Sequence, residues 1–165
     1  MDTFFEQLVS VKKTAKTYLA YIGIAVAAIL IMTGALNLVG NLAFVVICLV
    51  IYGAYKLYSM FSIEYEYIIT NSVMDIDKIT SKSSRKRVSS FDLTTVERIE
   101  RFRNNLPKEI LNDCLFACNK DDSNAFVLVI HPEGKQKHTV VIAPNERMQE
   151  AMKKFLPKYV SDNMI

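Results

Sequence analysis

The sequence predicts a membrane α-helical hairpin plus an all-β domain of six to seven antiparallel strands, forming a bent sheet or partly open barrel capped by one C-terminal helix. Three patterns predict this fold. Residues 17–55 are 39 consecutive positions without Asp, Glu, Lys or Arg. After Met60, apolar residues alternate with polar ones, as in half-buried strands. Near the C-terminus, apolar residues recur at helical spacing.

The charge-free run is long enough for two membrane-spanning helices. One helix needs about 20 apolar residues to cross about 30 Å of hydrocarbon, and the turn-forming residues of the run cluster at 37–41. We therefore predict a two-helix hairpin over residues 17–58, with spans at about 18–36 and 42–57. Two alternatives fit less well. A cleaved signal peptide has a shorter apolar core, and a hairpin of a soluble bundle normally keeps a charged stripe.

Lysines lie at the outer ends of both spans. Lys12 and Lys13 precede the first span, and the turn between the spans carries no charge. The positive-inside bias then places both termini in the cytoplasm of a multi-pass protein of the cell membrane. Tyrosines and lysines at that face are the predicted membrane-interface anchors: Tyr18, Tyr21, Tyr52, Tyr55, Tyr58, Lys16 and Lys56.

Residues 1–16 are predicted to be an amphipathic, helical N-terminal arm. Thr3 and Glu6 have the spacing of a capping box. The helix would either lie in the membrane interface or extend the first span into water. Its apolar face would consist of Phe4, Phe5, Leu8 and Val9.

Residues 61–165 are predicted to form the cytoplasmic β domain. Residues 61–70 alternate between apolar and polar side chains, and residues 73–80 follow after a two-residue turn, which indicates an antiparallel hairpin. Residues 94–103 fit a strand or a short helix, and residues 104–113 read as a loop. The other predicted strands are 85–93, 114–118, 125–130 and 138–143.

A C-terminal helix is predicted at about 145–157. Asn145 is its expected N-cap, and Pro157 should end or kink it. The tail after Val160 is polar and is expected to fray. The apolar stripe of the helix would consist of Met148, Ala151, Met152, Phe155, Leu156 and Tyr159.

Four segments of this domain match a known pattern. They are EYEYIITN at 64–71, MDID at 74–77, RKR at 85–87, and VIAPN at 141–145 leading into a helix. Together they resemble the pleckstrin-homology-like (PH-like) domains that bacteria carry on membrane proteins. Within that class, the chain looks like a small family with a two-span hairpin before the β domain. The resemblance implies the fold but supplies no catalytic residue.

The sequence carries no enzyme signature: it lacks a phosphate-binding glycine loop, a nucleophile elbow and an HExxH motif. Cys114, Cys118, His131 and His138 are zinc-binding residue types, but a Cys-x3-Cys spacing on a strand separates the thiols by about 13 Å. We therefore expect no metal and no cofactor. Residues 61–165 carry 16 basic and 15 acidic side chains, so no nucleic-acid partner is expected.

The best candidate binding site is a stretch of five cations with no acidic residue between Lys78 and Ser90. In the resembling fold, this region spans an early strand–strand loop, where many eukaryotic relatives hold phosphoinositide headgroups. Near an anionic leaflet, each cation contributes about 1 kcal/mol. The alternatives are a solvated hairpin without a ligand, and a membrane or cytoplasmic protein that adds a strand to a free sheet edge. The five candidates are Lys78, Lys82, Arg85, Lys86 and Arg87.

Overall fold

The computed structural model describes residues 4–103, 114–119, 121–131 and 137–164. The chain divides into two compact units. The β unit comprises Met1–Val11, Glu64–Ile79 and Arg85–Ile165, and the helical unit comprises Lys12–Ile63 and Thr80–Ser84. The helical segment is therefore inserted into the chain of the β unit. The predicted loop at 104–113 lies outside the described residues.

The N-terminal segment is a strand. Strand β1, Phe4–Ser10, pairs antiparallel with β2, Ile63–Thr70, from Phe4 opposite Thr70 to Ser10 opposite Glu64. The prediction of a helical arm was wrong. Half-buried and exposed side chains alternate along β1 with a period of two, and pairing with β2 outweighs the capping-box spacing, whose Thr3 lies outside the described residues.

The charge-free run forms two helices. Helix α1 is Ala15–Leu38, a 3-10 turn covers Gly40–Leu42, and helix α2 is Ala43–Met60. By length and composition, both segments are apolar enough to cross a membrane, with mean hydropathies of 2.3 and 1.8. Within the two helices only Ala35 and Ala43, beside the turn, are buried. Gly40 has a φ of 56°, which a residue without Cβ adopts readily.

The first sheet has the order β1-β2-β3-β4. Strand β3 is Val73–Thr80 and strand β4 is Ser84–Asp92. The turn between β2 and β3 contains Asn71 at a φ of 54°, an angle that Asn tolerates better than most residues. The predicted strands over 61–70, 73–80 and 85–93 therefore match the structure closely.

The second sheet has the order β5-β7-β8-β6. A 3-10 turn at Leu93–Thr95 leads into β5, Val96–Arg101, which resolves the choice between helix and strand for residues 94–103. Strand β6 runs parallel to β8, whereas all strands had been predicted antiparallel. Strands β6 and β7 run in opposite directions, and β8 lies between them. Because β8 is antiparallel to β7, it is parallel to β6. The remaining strands are β6, Cys114–Phe116, β7, Phe126–Ile130, and β8, His138–Ile142.

The main core of the β unit contains residues of both sheets and of the C-terminal helices. Tyr67 on β2 is fully buried there; its hydroxyl donates to the Ala117 carbonyl at 2.7 Å and accepts from the Ala143 amide at 3.2 Å. The described residues form eight strands rather than six or seven, because β1 was not predicted as one.

The C-terminal region forms two short helices. Helix α3, Glu146–Lys153, begins at Asn145, whose side chain accepts from the Met148 amide at 2.8 Å as predicted. After Pro157 the chain continues as α4, Lys158–Ser161, and a 3-10 turn, Asp162–Met164. The predictions of a frayed tail and of Tyr159 as part of the apolar stripe of the helix were wrong. Val160 and Met164 enter the core instead, and Tyr159 is exposed, because the break at Pro157 reorients the chain.

Candidate functional site

The strand order places part of the basic stretch at a particular end of the first sheet. Strand β1 ends at Ser10 opposite Glu64 of β2, so the helical insertion begins and ends at one end of this strand pair. The β2–β3 turn lies at the opposite end. Strand β3 runs back from that turn alongside β2. The β3–β4 turn therefore lies at the end of the sheet where the helical insertion begins and ends. Lys82 lies in this turn, and Arg85 and Lys86 follow at the start of β4.

The two arginines of the stretch are held by carboxylates of neighbouring strands. Arg85 Nη2 lies 2.9 Å and 2.8 Å from the two carboxylate oxygens of Glu66, which is only 3% exposed. Arg87 contacts Asp75 at 3.0 Å and Asp77 at 3.1 Å. More than half of each arginine side chain stays exposed. Their charges are therefore largely balanced by the sheet, which was not predicted because the partners are on β2 and β3.

The three lysines of the stretch make no ion pair with the described residues. Lys82 and Lys86 are exposed, and Lys78 on β3 is half-buried. Within the helical unit, the turn that carries Lys82 is fixed to the end of α2: the Ser81 amide donates to the Ser62 carbonyl at 3.0 Å, and the Ser81 hydroxyl donates to the Ser59 hydroxyl at 2.9 Å. The lysines, rather than the arginines, are thus the free cations of the predicted site.

A second carboxyl group, that of Glu6, neighbours Glu66 on the same face of the sheet. Leu8 of β1 lies opposite Glu66, so Glu6, two residues earlier on β1, is a diagonal neighbour of Glu66 on the same face. Burial of the Glu66 carboxyl and its hydrogen bond with Glu6 raise its pKa, and the nearby Arg85 partly opposes this. The face therefore holds two neighbouring carboxyl groups, of which Glu66 pairs with the Arg85 guanidinium.

An aromatic cluster lies at the outer ends of α1 and α2. The rings of Tyr21 and Tyr58 are 4.3 Å apart between centroids, and Tyr18 and Phe61 meet Tyr21 edge-on. Lys13 Nζ lies 5.0 Å and 5.2 Å from the centroids of Tyr21 and Tyr58, within range of a cation–π interaction. The pKa of Lys13 is raised, mainly because its ammonium group donates to the Tyr58 hydroxyl at 3.4 Å.

The structure brings together only some of the predicted interface anchors. Tyr18, Tyr21 and Tyr58 belong to the aromatic cluster, together with Lys13 and Phe61, which were not predicted as anchors. Tyr52 and Tyr55 are exposed on α2 and stack on no described ring, and Lys16 and Lys56 are exposed as well. The role of Lys13 could not be predicted because its aromatic partner Tyr58 is 45 residues away.

The cysteines and histidines serve other contacts. Among the described residues, no group of three or more His, Cys, Asp or Glu side chains is placed to hold a metal ion. His131 Nδ1 lies 2.7 Å from Glu97, and the His138 ring meets Phe91. Burial raises the pKa of Cys114 to about 11 and that of Cys118 to about 12, which favours the protonated thiol of both at neutral pH.

Comparison with known proteins agrees with this architecture. A search of curated proteins found no relative of this chain. The model of one family, described as Bacterial PH-like domain (DUF6106), matches residues 1–162. The match includes β1, the helical insertion and the C-terminal helices, and it confirms the resemblance seen in the sequence. The chain belongs to this family of bacterial PH-like domains.

Proposed function

We propose that this protein is a membrane-anchored, non-enzymatic interaction module that faces the cytoplasm. The observation that carries the proposal is the insertion of two exposed apolar helices between β1 and β2. Because Ser10 and Glu64 are paired, both ends of the insertion return to one place on the sheet. An apolar segment with both ends on one side of a membrane crosses it an even number of times, as a hairpin does.

The positions of the lysines support one orientation of this hairpin across the membrane. Lys12, Lys13 and Lys16 precede α1 and Lys56 lies near the end of α2, whereas the turn at residues 39–42 carries no charge. The positive-inside bias favours a cytoplasmic β unit. The aromatic cluster at the same helix ends suits the interface between headgroups and acyl chains.

Cysteine labelling tests the topology. Asn41→Cys and Ser123→Cys, each made in a chain whose three native cysteines are replaced by Ser, place thiols at two exposed turns. In intact spheroplasts, a membrane-impermeant maleimide should label Asn41→Cys, and it should label Ser123→Cys only after permeabilisation. Equal labelling of both variants before permeabilisation would reject the hairpin.

We further propose that the β unit contacts anionic lipid headgroups through Lys82 and Lys86. Both side chains are exposed cations without an ion pair among the described residues. The connections between the β strands and the helices are short, four residues at 11–14 and two at 61–62, so the β unit is tethered within a few residues of the membrane. Two such lysines near an anionic leaflet contribute about 2 kcal/mol together.

The full-length chain in nanodiscs tests the lipid contact, because a fragment starting at Phe61 would lack β1. Hydrogen exchange of residues 80–88 should be slower in nanodiscs with phosphatidylglycerol than in zwitterionic ones, and high salt should remove the difference. The double variant Lys82→Gln, Lys86→Gln should abolish it. The control Lys153→Gln, Lys158→Gln makes the same charge change at exposed positions of the C-terminal helices. An equal effect of both double variants would reject the site.

A second candidate function is binding of an extended protein segment at β1. This strand is at the edge of the first sheet, and it exposes the side chains of Phe4 and Leu8. A groove of about 230 Å³ lies between β1 and the start of α3. A photo-crosslinking amino acid at Phe4 should capture one defined partner in cells, and the same group at the exposed Tyr159 should not. No adduct at Phe4 would favour lipid contact alone.

A further inference from the structure

One face of the first sheet carries charged side chains, and more of them are acidic than basic. These side chains come from every strand of the sheet, and Glu66 is the most buried of them. The members are Glu6 on β1, Glu64 and Glu66 on β2, Asp75 and Asp77 on β3, and Arg85 and Arg87 on β4.

The two arginines differ in how they are held. Arg87 contacts two separate carboxylates, Asp75 and Asp77, so the loss of one charge would leave the other. Arg85 pairs only with Glu66 among the described residues, although it reaches both oxygens of that carboxylate. Arg85 is therefore held by a single ionised group.

That ionised group has a second acid, Glu6, as its diagonal neighbour on the same face. Diagonal neighbours are close enough for long side chains to meet, and two carboxyl groups that meet can share one proton. With both groups ionised, two negative charges repel each other at a site that is only 3% exposed at Glu66. Uptake of one proton removes this repulsion.

We propose that Glu6 and Glu66 form a proton-controlled latch for Arg85. With Glu66 ionised, the guanidinium is held on the sheet. When the carboxyl pair takes up one proton from solvent and Glu66 becomes neutral, Arg85 loses its partner and its exposed side chain is free to move. The burial of Glu66 that raises its pKa makes this uptake occur at a higher pH than for an exposed Glu.

A freed Arg85 adds one cation to the end of the sheet where Lys82 and Lys86 lie. This consequence rests on the proposed lipid contact: association with anionic headgroups would strengthen as the pH falls. The latch itself is a property of the β unit and does not require lipid.

Carboxyl and arginine NMR signals of the full-length chain in zwitterionic nanodiscs test the latch. The Glu66 carboxyl should titrate above the ordinary Glu value, and the Arg85 Nε–H signal should move over the same pH range. The Arg87 signal should not follow. Glu6→Gln should shift both the Glu66 and Arg85 transitions to lower pH. The control Glu64→Gln, with the same charge change on β2, should leave them in place.

The outcomes separate the latch from the lipid contact. If the Arg85 signal of the unmodified chain does not change over the pH range in which Glu66 titrates, the latch is overturned, whether or not the variants fold. Titrations that are the same in the Glu6→Gln and Glu64→Gln variants also overturn it. If the latch titrates as expected but phosphatidylglycerol changes no signal of Arg85, Lys82 or Lys86, the latch stands and the lipid contact fails. If phosphatidylglycerol shifts Arg85 equally at every pH, the lipid contact stands and the latch fails.

Discussion

At the scale of single residues, the Tyr67 hydroxyl joins three parts of the β unit. It connects β2 to the chain after β6 and to the chain after β8 through the Ala117 carbonyl and the Ala143 amide. Both groups are in buried residues, where an unpaired backbone group is costly. Burial also raises the pKa of Tyr67, so its hydroxyl remains protonated and can donate.

Tyr67→Phe should lower the free energy of unfolding by about 1–3 kcal/mol, because it leaves a buried carbonyl and amide without their partner. Thermal or urea unfolding of the chain in detergent micelles measures this. Tyr65→Phe on the same strand is the control, since the Tyr65 hydroxyl makes no hydrogen bond with the described residues. A loss of equal size in both variants would contradict the assigned role of the Tyr67 hydroxyl.

The pH dependence of stability depends on Glu66. Because its pKa is raised in the folded protein, the folded state binds more protons than the unfolded state between the unfolded and folded pKa values. Stability from this group is therefore full below the ordinary Glu pKa and is lost as the pH rises through the folded pKa. Glu6→Gln should make this loss smaller and should stabilise the chain at neutral pH. Unfolding measured across the acidic range checks this, and a steeper loss in Glu6→Gln would refute it.

Residue patterns predicted the composition of the basic stretch but not its electrostatic state. Lys82 and Lys86 make no ion pair with the described residues, whereas Arg85 and Arg87 are paired with Glu66, Asp75 and Asp77. The pairing partner of Arg85 is 19 residues away, and the nearer of the two partners of Arg87 is 10 residues away. The positions of charged residues along the sequence do not predict such pairs, because the pairs depend on strand order and on the face of the sheet that each residue occupies.

At the scale of elements, local alternation predicted strands well where it was long and regular. Residues 61–80 and 125–143 gave the correct hairpins, because two-fold periodicity and short turns determine both members of each pair. Strand β1 was missed because its seven residues fit both a helical face and a strand. Its partner β2 is separated from it in sequence by the 52 residues of the insertion and its connections.

The C-terminal segment after Pro157 should contribute to stability despite its polar composition. Met164 is 2% exposed and packs in the main core with Val160. Met164→Ala should cost about 2–5 kcal/mol, the usual range for truncating a buried Met. The control Tyr159→Ala removes an exposed ring and should have little effect. Equal unfolding midpoints for Met164→Ala and the unmodified chain would show that the tail frays after all.

At the scale of the whole molecule, the β unit is complete only when both sides of the helical insertion contribute to it. Because Ser10 pairs with Glu64, a two-residue Asn-Gly turn can join them in place of residues 11–63. This shortened chain should be soluble without detergent and should unfold cooperatively. A chain that simply lacks residues 1–62 should not, since β2 would lose its neighbour and expose an edge.

Light scattering and thermal unfolding of the two shortened chains check this prediction. The joined chain keeps β1, and the truncated chain keeps every later strand, so they differ mainly in the first strand. If the truncated chain is as soluble and as stable as the joined one, β1 is dispensable and the β unit is independent of the residues before the hairpin.

The separation of β1 from β2 also determines the order of events on the ribosome. At about 5–20 residues per second, synthesis of the 52 intervening residues takes about 3–10 s. During this interval β1, with its exposed Phe4 and Leu8, has no partner strand. In the proposed topology, the hairpin leaves the translocation machinery before the sheet closes. A hairpin that crosses and returns brings the end of β1 and the start of β2 to the same side of the membrane, where Ser10 and Glu64 can pair.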